Sequence, residues 1–382
     1  MLLRIVNTPR DYAWGSTQAI AELLGTQPSG KPEAELWLGS HPGSPARIVA
    51  GASEADLSQW AEAHAERGRL PFLLKVLAAS APLSLQAHPT AEQAREGFAR
   101  EEAAGIPLDA PERNYKDDAH KPELIVALSD PFRALCGFRP VAESRSDLAE
   151  LADDRLAPFV DRLVDDASLP GVLRWLLQHD TSVESVVAAL VEHGSEVDGD
   201  ERGLWLGTVR ILAEHYPGDP GIAISTLLHT VLLRPGEALY LPAGNIHAYL
   251  DGLGIELMAA SDNVLRGGLT SKHVDIPELM RVVEARPLPA PYLRPERPVP
   301  GVSIFRPDVP DFRLALVEGP ALAAGAEVAI DGVAIVLSLD DEVLVGGEAL
   351  GRGEAALVEG SAVALSGVGR VVVATGSHPQ ER

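Results

Sequence analysis

The sequence predicts a mainly β fold with a helical insertion, in the α+β class, from three observations. Short apolar runs bounded by glycine and proline dominate residues 1–140 and 218–290. Helical periodicity dominates residues 141–217, and short apolar runs return in residues 291–382. We therefore expect a discontinuous first β-domain, an inserted helical domain and a second, C-terminal β-domain. A chain of 382 residues is long enough to form all three.

The first β-domain should contain strands near residues 2–6, 34–38, 73–77 and 124–128, where the apolar runs lie. Thr90 and Gln93 have the spacing of a capping box and predict a helix between residues 89 and 105. Beyond the insertion, we expect strands from residue 222 to about 257 and a helix at residues 277–284.

The inserted segment carries two amphipathic helical patterns. Thr181 and Glu184 have capping-box spacing at the start of the first pattern, and Gly194 is expected to end that helix. Apolar residues between 204 and 213 form one face of the second helix. The string Pro-Gly-Asp-Pro-Gly at residues 217–221 then ends the helical block.

The C-terminal segment follows a proline-rich stretch at residues 286–301, which predicts a stiff linker. Short apolar runs then alternate with glycine-containing turns, a pattern typical of a small all-β sandwich or barrel. Its one histidine, His378, lies in the terminal tail, so we expect this domain to be free of metal.

The net charge of −23 argues against a nucleic-acid partner, since a polyanion would be repelled. An anionic small substrate would need a local cluster of cations, which screening over about 8 Å permits. We expect no membrane partner and no secretory signal, because no long uncharged apolar run is present. The single cysteine, Cys136, is typical of a reducing cytoplasm. We expect a monomer, with a dimer as the alternative.

Residues 236–251 resemble the second metal-binding motif of cupins, a glycine followed by P-x-G-x-x-H and a polar residue. Pro242 and Gly244 predict a tight turn between two strands, after which His247 points into a barrel. The alternative is a surface hairpin with a solvated histidine.

Two further pairs have the spacing that places both side chains on one face of a strand. Gln86 and His88 form the first pair, and Lys121 and Glu123 form the second. Leaving a buried polar group unsatisfied costs about 1–3 kcal/mol, so the first pair needs a partner. A metal ion would serve both side chains, and the alternative is a hydrogen-bonded core pair or a strand end. Gln86, His88, Glu123 and His247 together offer two oxygen and two nitrogen donors, which suit one divalent ion per chain, zinc above all.

Glu92 is a rival carboxylate, because generic cupins place a glutamate shortly after the first histidine pair. It also falls in the first turn of the predicted helix, where the helix dipole favours an acid. We therefore prefer Glu123 as the ligand.

Seven segments resemble the type I phosphomannose isomerases. They are YAWGS (12–16), ELWLGSHP (35–42), LPFLLKVL (70–77), SLQAHP (84–89), NYKDDAHKPE (114–123), LPAGNIHAYLDGLGIELMA (241–259) and SDNVLRGGLTSKHVD (261–275). The resemblance covers residues 1 to about 290, and the SLQAHP, HKPE and SDN…LRGG…KHVD strings are specific to the family. It implies a catalytic cupin barrel followed by a cupin-like C-terminal barrel. It assigns a zinc ion to the four residues already selected, Gln86, His88, Glu123 and His247.

That family interconverts mannose 6-phosphate and fructose 6-phosphate, a reaction that supplies GDP-mannose biosynthesis. The resemblance therefore implies a sugar phosphate substrate, ring opening, and proton transfer between C2 and C1 through an enediol. Charge growing on the sugar oxygens would be stabilised by the metal or a fixed cation. The phosphate would need cationic or N–H contacts.

We expect Arg266 near the phosphate or the reacting oxygens. The alternative is a salt bridge to Asp262, itself a candidate substrate contact. Lys121 resembles the family's catalytic lysine, with an ion pair to the metal-bound carboxylate as the alternative. Ser84 shares the inward face of Gln86 and is a candidate phosphate contact. A further candidate, for the base, is a carboxylate in an apolar strand, Glu256.

His41 and Glu35, six residues apart, would share one face of a regular strand and are candidates for opening the sugar ring. His120 is a second acid–base candidate, and the sequence does not rank it against His41 and Glu256. Two other functions stay open. An iron-dependent cupin dioxygenase would favour a third histidine where Gln86 stands, and a sugar-phosphate sensor would bind its ligand without turnover.

Overall fold

A computed structural model describes residues 1–50, 52–64, 70–196, 203–340 and 342–376. Within these residues the strands are β1 Leu2–Val6, β2 Glu35–Leu38, β3 Arg47–Ala50, β4 Phe72–Ala79, β5 Gln86–Ala87, β6 Glu123–Ala127, β7 Phe132–Phe138, β8 Leu228–Leu233, β9 Ala238–Leu241, β10 His247–Ala259, β11 Leu265–Arg266, β12 Val302–Phe305, β13 Arg313–Glu318, β14 Ala326–Ser338, β15 Val343–Val345, β16 Glu348–Leu350, β17 Ala355–Gly367 and β18 Arg370–Thr375. The α-helices are α1 Ala19–Leu24, α2 Leu57–Ala63, α3 Ala91–Ala103, α4 Val141–Glu150, α5 Ala157–Val160, α6 Leu169–Gln178, α7 Thr181–Ser195, α8 Leu204–His215, α9 Gly221–Ser225, α10 Ile276–Val282 and α11 Pro320–Ala324. The fold is therefore mixed and mainly sheet, as the sequence predicts.

The strands form two antiparallel sheets. The first has the order β11-β5-β10-β4-β2, with β6 and β7 also paired to β10, β9 paired to β6, and β8 paired to β7. The second has the order β12-β13-β18-β14-β17-β1-β3, with β15 and β16 at its side. The N-terminal strands β1 and β3 thus complete the sheet built by the C-terminal segment, so the prediction that the strand at residues 2–6 belongs to the first β-domain is wrong. In neither sheet do the ladders between described residues close into a ring.

Strand β10 organises the first sheet because its two halves pair with different neighbours. Residues from His247 to Asp251 pair with β7, and residues from Gly252 to Ala259 pair with β4. Gly252 lies at the change of partner with φ 121°, and a Cβ there would lie 2.8 Å from the Phe132 ring. A glycine is therefore required where the strand changes direction.

The two sheets share an apolar core, and strand alternation decides what faces away from it. Leu74 and Val76 of β4 pack in one cluster with Leu314 and Leu337 of the second sheet. Since neighbouring strand residues point to opposite sides, Lys75 is directed to the other face of the first sheet. That face carries the polar residues described below.

The helical insertion packs on the first sheet through its apolar faces. Leu176, Val187 and Leu212 belong to one buried cluster with Leu135 and Ile246 of the sheet region. None of the helices formed by the described residues is long and apolar enough to cross a bilayer.

One of the two predicted capping boxes is confirmed and the other is wrong. The Thr90–Gln93 capping box is present at the start of α3. The capping box at Thr181 is wrong: the carboxylate of Asp180 accepts the N–H groups of Ser182 and Val183, which places the cap one residue earlier. The general lesson is that a local pattern can identify a helix and still misplace its first residue.

Three boundaries also differ from the predictions. Helix α7 continues through Gly194 to Ser195, and a Cβ at Gly194 would lie 3.1 Å from Val209, so this glycine serves close helix packing. Ile222 lies in α9 rather than in a strand. The C-terminal segment contains the short helix α11, so it is not purely β.

Candidate metal and acid–base site

Three buried side chains converge at the ends of neighbouring strands in the first sheet. His88 follows β5, Glu123 begins β6 and His247 begins β10. Glu123 Oε1 lies 3.2 Å from His88 Nε2, and Glu123 Oε2 lies 3.1 Å from His247 Nε2. Their potential ligand atoms all lie within 4.8 Å of one another. This is the spacing of groups that can share one metal ion.

The hydrogen bonds behind the two histidines set the direction of their lone pairs. His88 Nδ1 lies 2.8 Å from the Asn263 carbonyl, and His247 Nδ1 lies 3.0 Å from the Asn245 carbonyl. Since a carbonyl only accepts, each Nδ1 carries the proton and each Nε2 presents a lone pair. Burial lowers the pKa of His88 to about 4, so its ring is neutral at neutral pH.

Two unprotonated acceptors therefore face each other at His88 and Glu123. His88 Nε2 is buried and has no hydrogen-bond partner among the described residues. An imidazole lone pair beside a carboxylate repels it unless a cation lies between them. The site thus fits a metal ion, and two imidazoles with a carboxylate are a donor set that zinc accepts.

Gln86 and Arg266 stand beside the metal ligands on adjacent strands. Gln86 pairs with His247 across β5 and β10, and with Arg266 across β5 and β11. The Gln86 amide nitrogen lies 3.4 Å from His247 Nε2. Rotating the amide by a half-turn would present its oxygen to the same place, since the two ends have the same shape.

Lys121 lies against the carboxylate of the cluster. Its Nζ is 2.7 Å from Glu123 Oε1, and both side chains are buried. Burial alone would raise the pKa of Glu123, but the adjacent ammonium of Lys121 opposes it, and the pKa lies well below its ordinary value. Glu123 is therefore ionised and able to bind a cation.

A second buried charge cluster lies on the same face of the sheet. Lys75 Nζ lies 2.9 Å from Glu256 Oε2 and 3.5 Å from Glu35 Oε1. Strand register places these charges together. Lys75 is paired with Glu256 on β10 and with Trp37 on β2, and Glu35 is two residues before Trp37 on the same side of that strand. The Trp37 indole N–H donates to Glu35 at 2.8 Å.

The charges of this cluster determine its proton affinities. Burial alone would lower the pKa of Lys75, but Glu256, Glu35 and Glu123 outweigh it and raise that pKa above its ordinary value. Burial raises the pKa of Glu256, and the nearby lysines only partly oppose it. Glu256 is consequently a carboxylate whose proton affinity is higher than usual.

Lys75 is the residue that the sequence analysis failed to assign to the site. A lysine inside an eight-residue buried strand was a usable signal, because a charge there is costly unless paired or functional. The cost of burying a charge, which makes Glu256 a candidate, applies equally to its partner Lys75.

His41 is hydrogen-bonded to Asp262. Their Nε2 and Oδ2 atoms lie 3.1 Å apart, and the Gly43 N–H donates to His41 Nδ1, so Nε2 carries the proton. Burial alone would raise the pKa of Asp262, but His41 and the charges of Lys121 and Lys75 hold it below its ordinary value. The pair borders a cavity of about 510 Å³.

The expected relationship between Glu35 and His41 is not what the structure shows. Strand β2 ends at Leu38, so regular alternation does not connect Glu35 to His41. The connection runs instead through Trp37, whose ring meets the His41 ring edge-on at 4.9 Å.

His120 does not join the cluster. Its Nε2 lies 2.9 Å from Oδ2 of Asp311, a residue of the C-terminal segment. His120 lies before the first residue of β6, outside the strand, and its ring is turned to the C-terminal segment.

Arg266 and Lys272 form a cationic end to the site. Neither forms an ion pair within 4 Å with any residue in the described part of the chain, and Asp262 pairs with His41 rather than with Arg266. Burial lowers the pKa of Arg266. Lys272 is exposed, yet surrounding protein atoms and the charge of Arg266 both lower its pKa. Ser84 lies half-buried on the neighbouring segment.

The exposed Glu92 lies in the first turn of α3 and outside the group of potential ligands. The residues of the site lie on β2, β4, β5, β6, β10 and β11 and on the loops next to these strands.

Comparison with known proteins gives a consistent family. The description "Phosphomannose isomerase type I, catalytic domain" matches residues 2–141. The mannose-6-phosphate isomerase of Escherichia coli strain K12 is 42% identical, covering 82% of this chain and 83% of its own. The human mannose-6-phosphate isomerase is 33% identical, covering 88% of this chain and 86% of its own.

Two solved structures superpose on this chain over almost its whole length. A crystal structure of a phosphomannose isomerase variant from Salmonella typhimurium superposes with a TM-score of 0.89 at 36% identity, covering 99% of this chain and 100% of that one. A zinc-bound mannose 6-phosphate isomerase superposes with a TM-score of 0.87 at 37% identity, with the same coverage. The similarity therefore includes both sheets and the helical insertion.

Proposed function

Because the chain belongs to the type I phosphomannose isomerases, we propose that it interconverts mannose 6-phosphate and fructose 6-phosphate with one zinc ion, through an enediol intermediate. The observation that carries the proposal is the convergence of His88, Glu123 and His247 beside the buried pair of Lys75 and Glu256. Isomerisation through an enediol needs a proton-transfer group and a group that stabilises the developing oxyanion, and this face of the sheet offers a base and a site for a Lewis acid.

His88, Glu123 and His247 would hold the zinc ion, with Gln86 as the fourth ligand. When bound, zinc stabilises negative charge developing on the sugar oxygens and brings no redox chemistry. The facing acceptors of His88 and Glu123 support this assignment.

Glu256 moves the proton between C1 and C2 in this proposal. A carboxylate with raised proton affinity is a better base near neutral pH than an ordinary one. Lys75 holds Glu256 in place and balances its charge, with Glu35 on its other side. Lys121 places an ammonium group beside Glu123, where it stabilises the enediolate oxygens.

His41 and Asp262 are assigned to ring opening. The proton on His41 Nε2 is directed at Asp262, and together they can exchange a proton with the sugar's ring oxygen and anomeric hydroxyl. His120 is left out of this role because it is bound to Asp311.

Arg266, Lys272 and Ser84 are assigned to the phosphate. The support is that both cations lack a described anionic partner and lie near each other, an arrangement that a dianion would stabilise. This local cluster also answers how a chain with a net charge of −23 binds an anion.

We also propose that the first sheet is a cupin barrel carrying the helical insertion at residues 141–217, and that residues 291–382 contribute a second, metal-free β-domain. The long pairing of β10 with four neighbouring strands supports the first part.

The function is tested by incubating the purified protein with fructose 6-phosphate and measuring mannose 6-phosphate. We expect turnover that a chelator abolishes and zinc restores. Binding of fructose 6-phosphate without turnover in the zinc-loaded protein would indicate a sensor, and oxygen uptake would indicate a dioxygenase.

Two variants separate the metal role from the substrate role. His247→Ala should lose zinc and activity together, and activity that survives loss of the metal would contradict the ligand set. Arg266→Ala should lose turnover while keeping zinc, and near-normal turnover would remove Arg266 from the site. His215→Ala is the control, because His215 is an exposed residue of the helical insertion.

A further inference from the structure

The loop between Arg266 and Lys272 is held from two sides. Next to β5, Leu85 exchanges backbone hydrogen bonds with Gly267 and Gly268, and the second restraint comes from outside the catalytic sheet. Asp219, in the Pro-Gly-Asp-Pro-Gly turn between α8 and α9, accepts the backbone N–H of Leu269 at 2.9 Å and of Thr270 at 3.2 Å. It also accepts the N–H of Gly221 in its own turn at 2.7 Å. One carboxylate thus joins two distant segments of chain through three backbone donors.

The two segments also touch backbone to backbone. A Cβ at Gly268 would lie 3.0 Å from Gly221 Cα, and a Cβ at Gly221 would lie 2.8 Å from the Leu269 nitrogen. Gly268 has φ 122°, and Leu269 has φ 54°, a left-handed conformation that is uncommon for a leucine. Such a conformation persists only where its surroundings hold it, and Asp219 binds the N–H of that residue.

The loop becomes exposed beyond Leu269, since Thr270 is half-buried and Ser271 and Lys272 are exposed. Leu269 is fully buried, but Thr270, Ser271 and Val274 border a cavity of about 840 Å³ between the loop and helices of the insertion. The Asp219 hydrogen bonds are therefore a principal restraint on where residues 270–272 lie.

We propose that Asp219 is a positioning residue for the phosphate end of the substrate, setting the separation between Arg266 and Lys272. The inference rests on the proposed isomerase function. A dianionic phosphate bridged by two cations needs them held at a fixed distance, because ordering a loose loop on binding costs affinity. The helical insertion then contributes to substrate affinity through one hydrogen-bonded turn around the half-buried Asp219.

The experiment compares steady-state kinetics of Asp219→Ala, Asp219→Asn and the wild type, all zinc-loaded, with fructose 6-phosphate. Asp219→Ala removes all three acceptor contacts. Its KM should rise by about tenfold or more while kcat stays within about threefold, since the loss concerns binding rather than chemistry. Asp219→Asn keeps the oxygen that accepts from Gly221 and Leu269, so its KM should stay within about threefold of the wild type.

Asp180→Ala is the matched control. Asp180 also accepts two backbone N–H groups in the helical insertion, at the start of α7. Its loss should lower the melting temperature without changing KM. If Asp219→Ala behaves like Asp180→Ala, or loses kcat at an unchanged KM, the inference is overturned.

Inorganic phosphate gives a readout that does not depend on turnover. Phosphate should raise the melting temperature of the wild type and of Asp219→Asn, and should raise that of Asp219→Ala much less. Equal shifts in all three would overturn the inference. Absence of isomerase activity in the wild type would instead overturn the proposed function, and the phosphate shifts would still report on Asp219.

Discussion

Lys75 Nζ lies 2.9 Å from Glu256 Oε2 across the β4–β10 ladder, with both side chains buried. Removing one member of such a pair leaves an uncompensated buried charge. A sheet would be expected to fill this position with an apolar side chain unless the charges perform a function. The pair therefore offers a direct test of the site.

Lys75→Met should abolish turnover and also destabilise the fold by about 3–5 kcal/mol, because Glu256 and Glu35 lose their cation. The measurements are kcat, bound zinc, and the free energy of unfolding. The double variant Lys75→Met/Glu256→Gln should recover part of the stability but none of the activity, since it removes one of the unpaired charges. Lys31→Met, at an exposed lysine, is the control. Full activity in Lys75→Met would remove the pair from the mechanism.

Asn263→Ala should weaken zinc binding by about 10–100-fold, as loss of a group that orients a metal ligand does. The amide of the buried Asn263 side chain donates to the backbone carbonyls of Asp117 and Ala119. The backbone carbonyl of Asn263 accepts from His88 Nδ1. Competition with a coloured chelator measures the affinity. Asn7→Ala also removes donors to two carbonyls and should leave zinc affinity unchanged. Equal affinities in both variants would mean that Asn263 does not orient the ligand.

Cys136 should be unreactive in the native protein. It is fully buried, and burial raises the pKa of its thiol to about 12. A disulfide reagent at pH 8 should modify it only after unfolding. Rapid native labelling would show that β7 opens to solvent.

The same thiol gives a pH dependence of stability. As pH rises from about 9 towards 12, the unfolded chain ionises Cys136 and the folded chain does not, so the free energy of unfolding falls. Below pH 9 the thiol is protonated in both states and this contribution is fully present. Cys136→Ala should reduce the alkaline loss of stability, which denaturant titrations at pH 8 and 10.5 would measure. An identical loss in both proteins would contradict the raised pKa.

Gly97→Ala should destabilise the protein, although alanine favours helices over glycine by about 1 kcal/mol. A Cβ at Gly97 would lie 2.3 Å from the Tyr115 ring, whose hydroxyl donates to Glu278 at 2.6 Å. Gly171→Ala is the matched control, because no atom lies within 4 Å of its Cβ position. We expect the melting temperature to fall in Gly97→Ala and to rise in Gly171→Ala. A higher melting temperature in Gly97→Ala would show that α3 can shift away from Tyr115.

Some of the fold and the site could be predicted because the signals are local. The period of two places Gln86 with His88 and Lys121 with Glu123, and the turn at Pro242 and Gly244 requires nothing from the rest of the chain. Gly244 does adopt φ 80°, and its N–H donates to the His88 carbonyl at 2.8 Å. The helices of the insertion could be predicted in the same way, because their apolar faces recur with the helical period.

The sequence by itself determined the family, the mixed and mainly β fold, and a set of donors suited to one metal ion. Only the tertiary structure decided that Lys75 meets Glu256, that His120 turns to Asp311, and that Asp219 reaches the loop before Lys272. The physical reason is that side-chain direction along one strand follows from local alternation. The register between strands, and contacts between a turn and a distant loop, depend on how the whole chain packs.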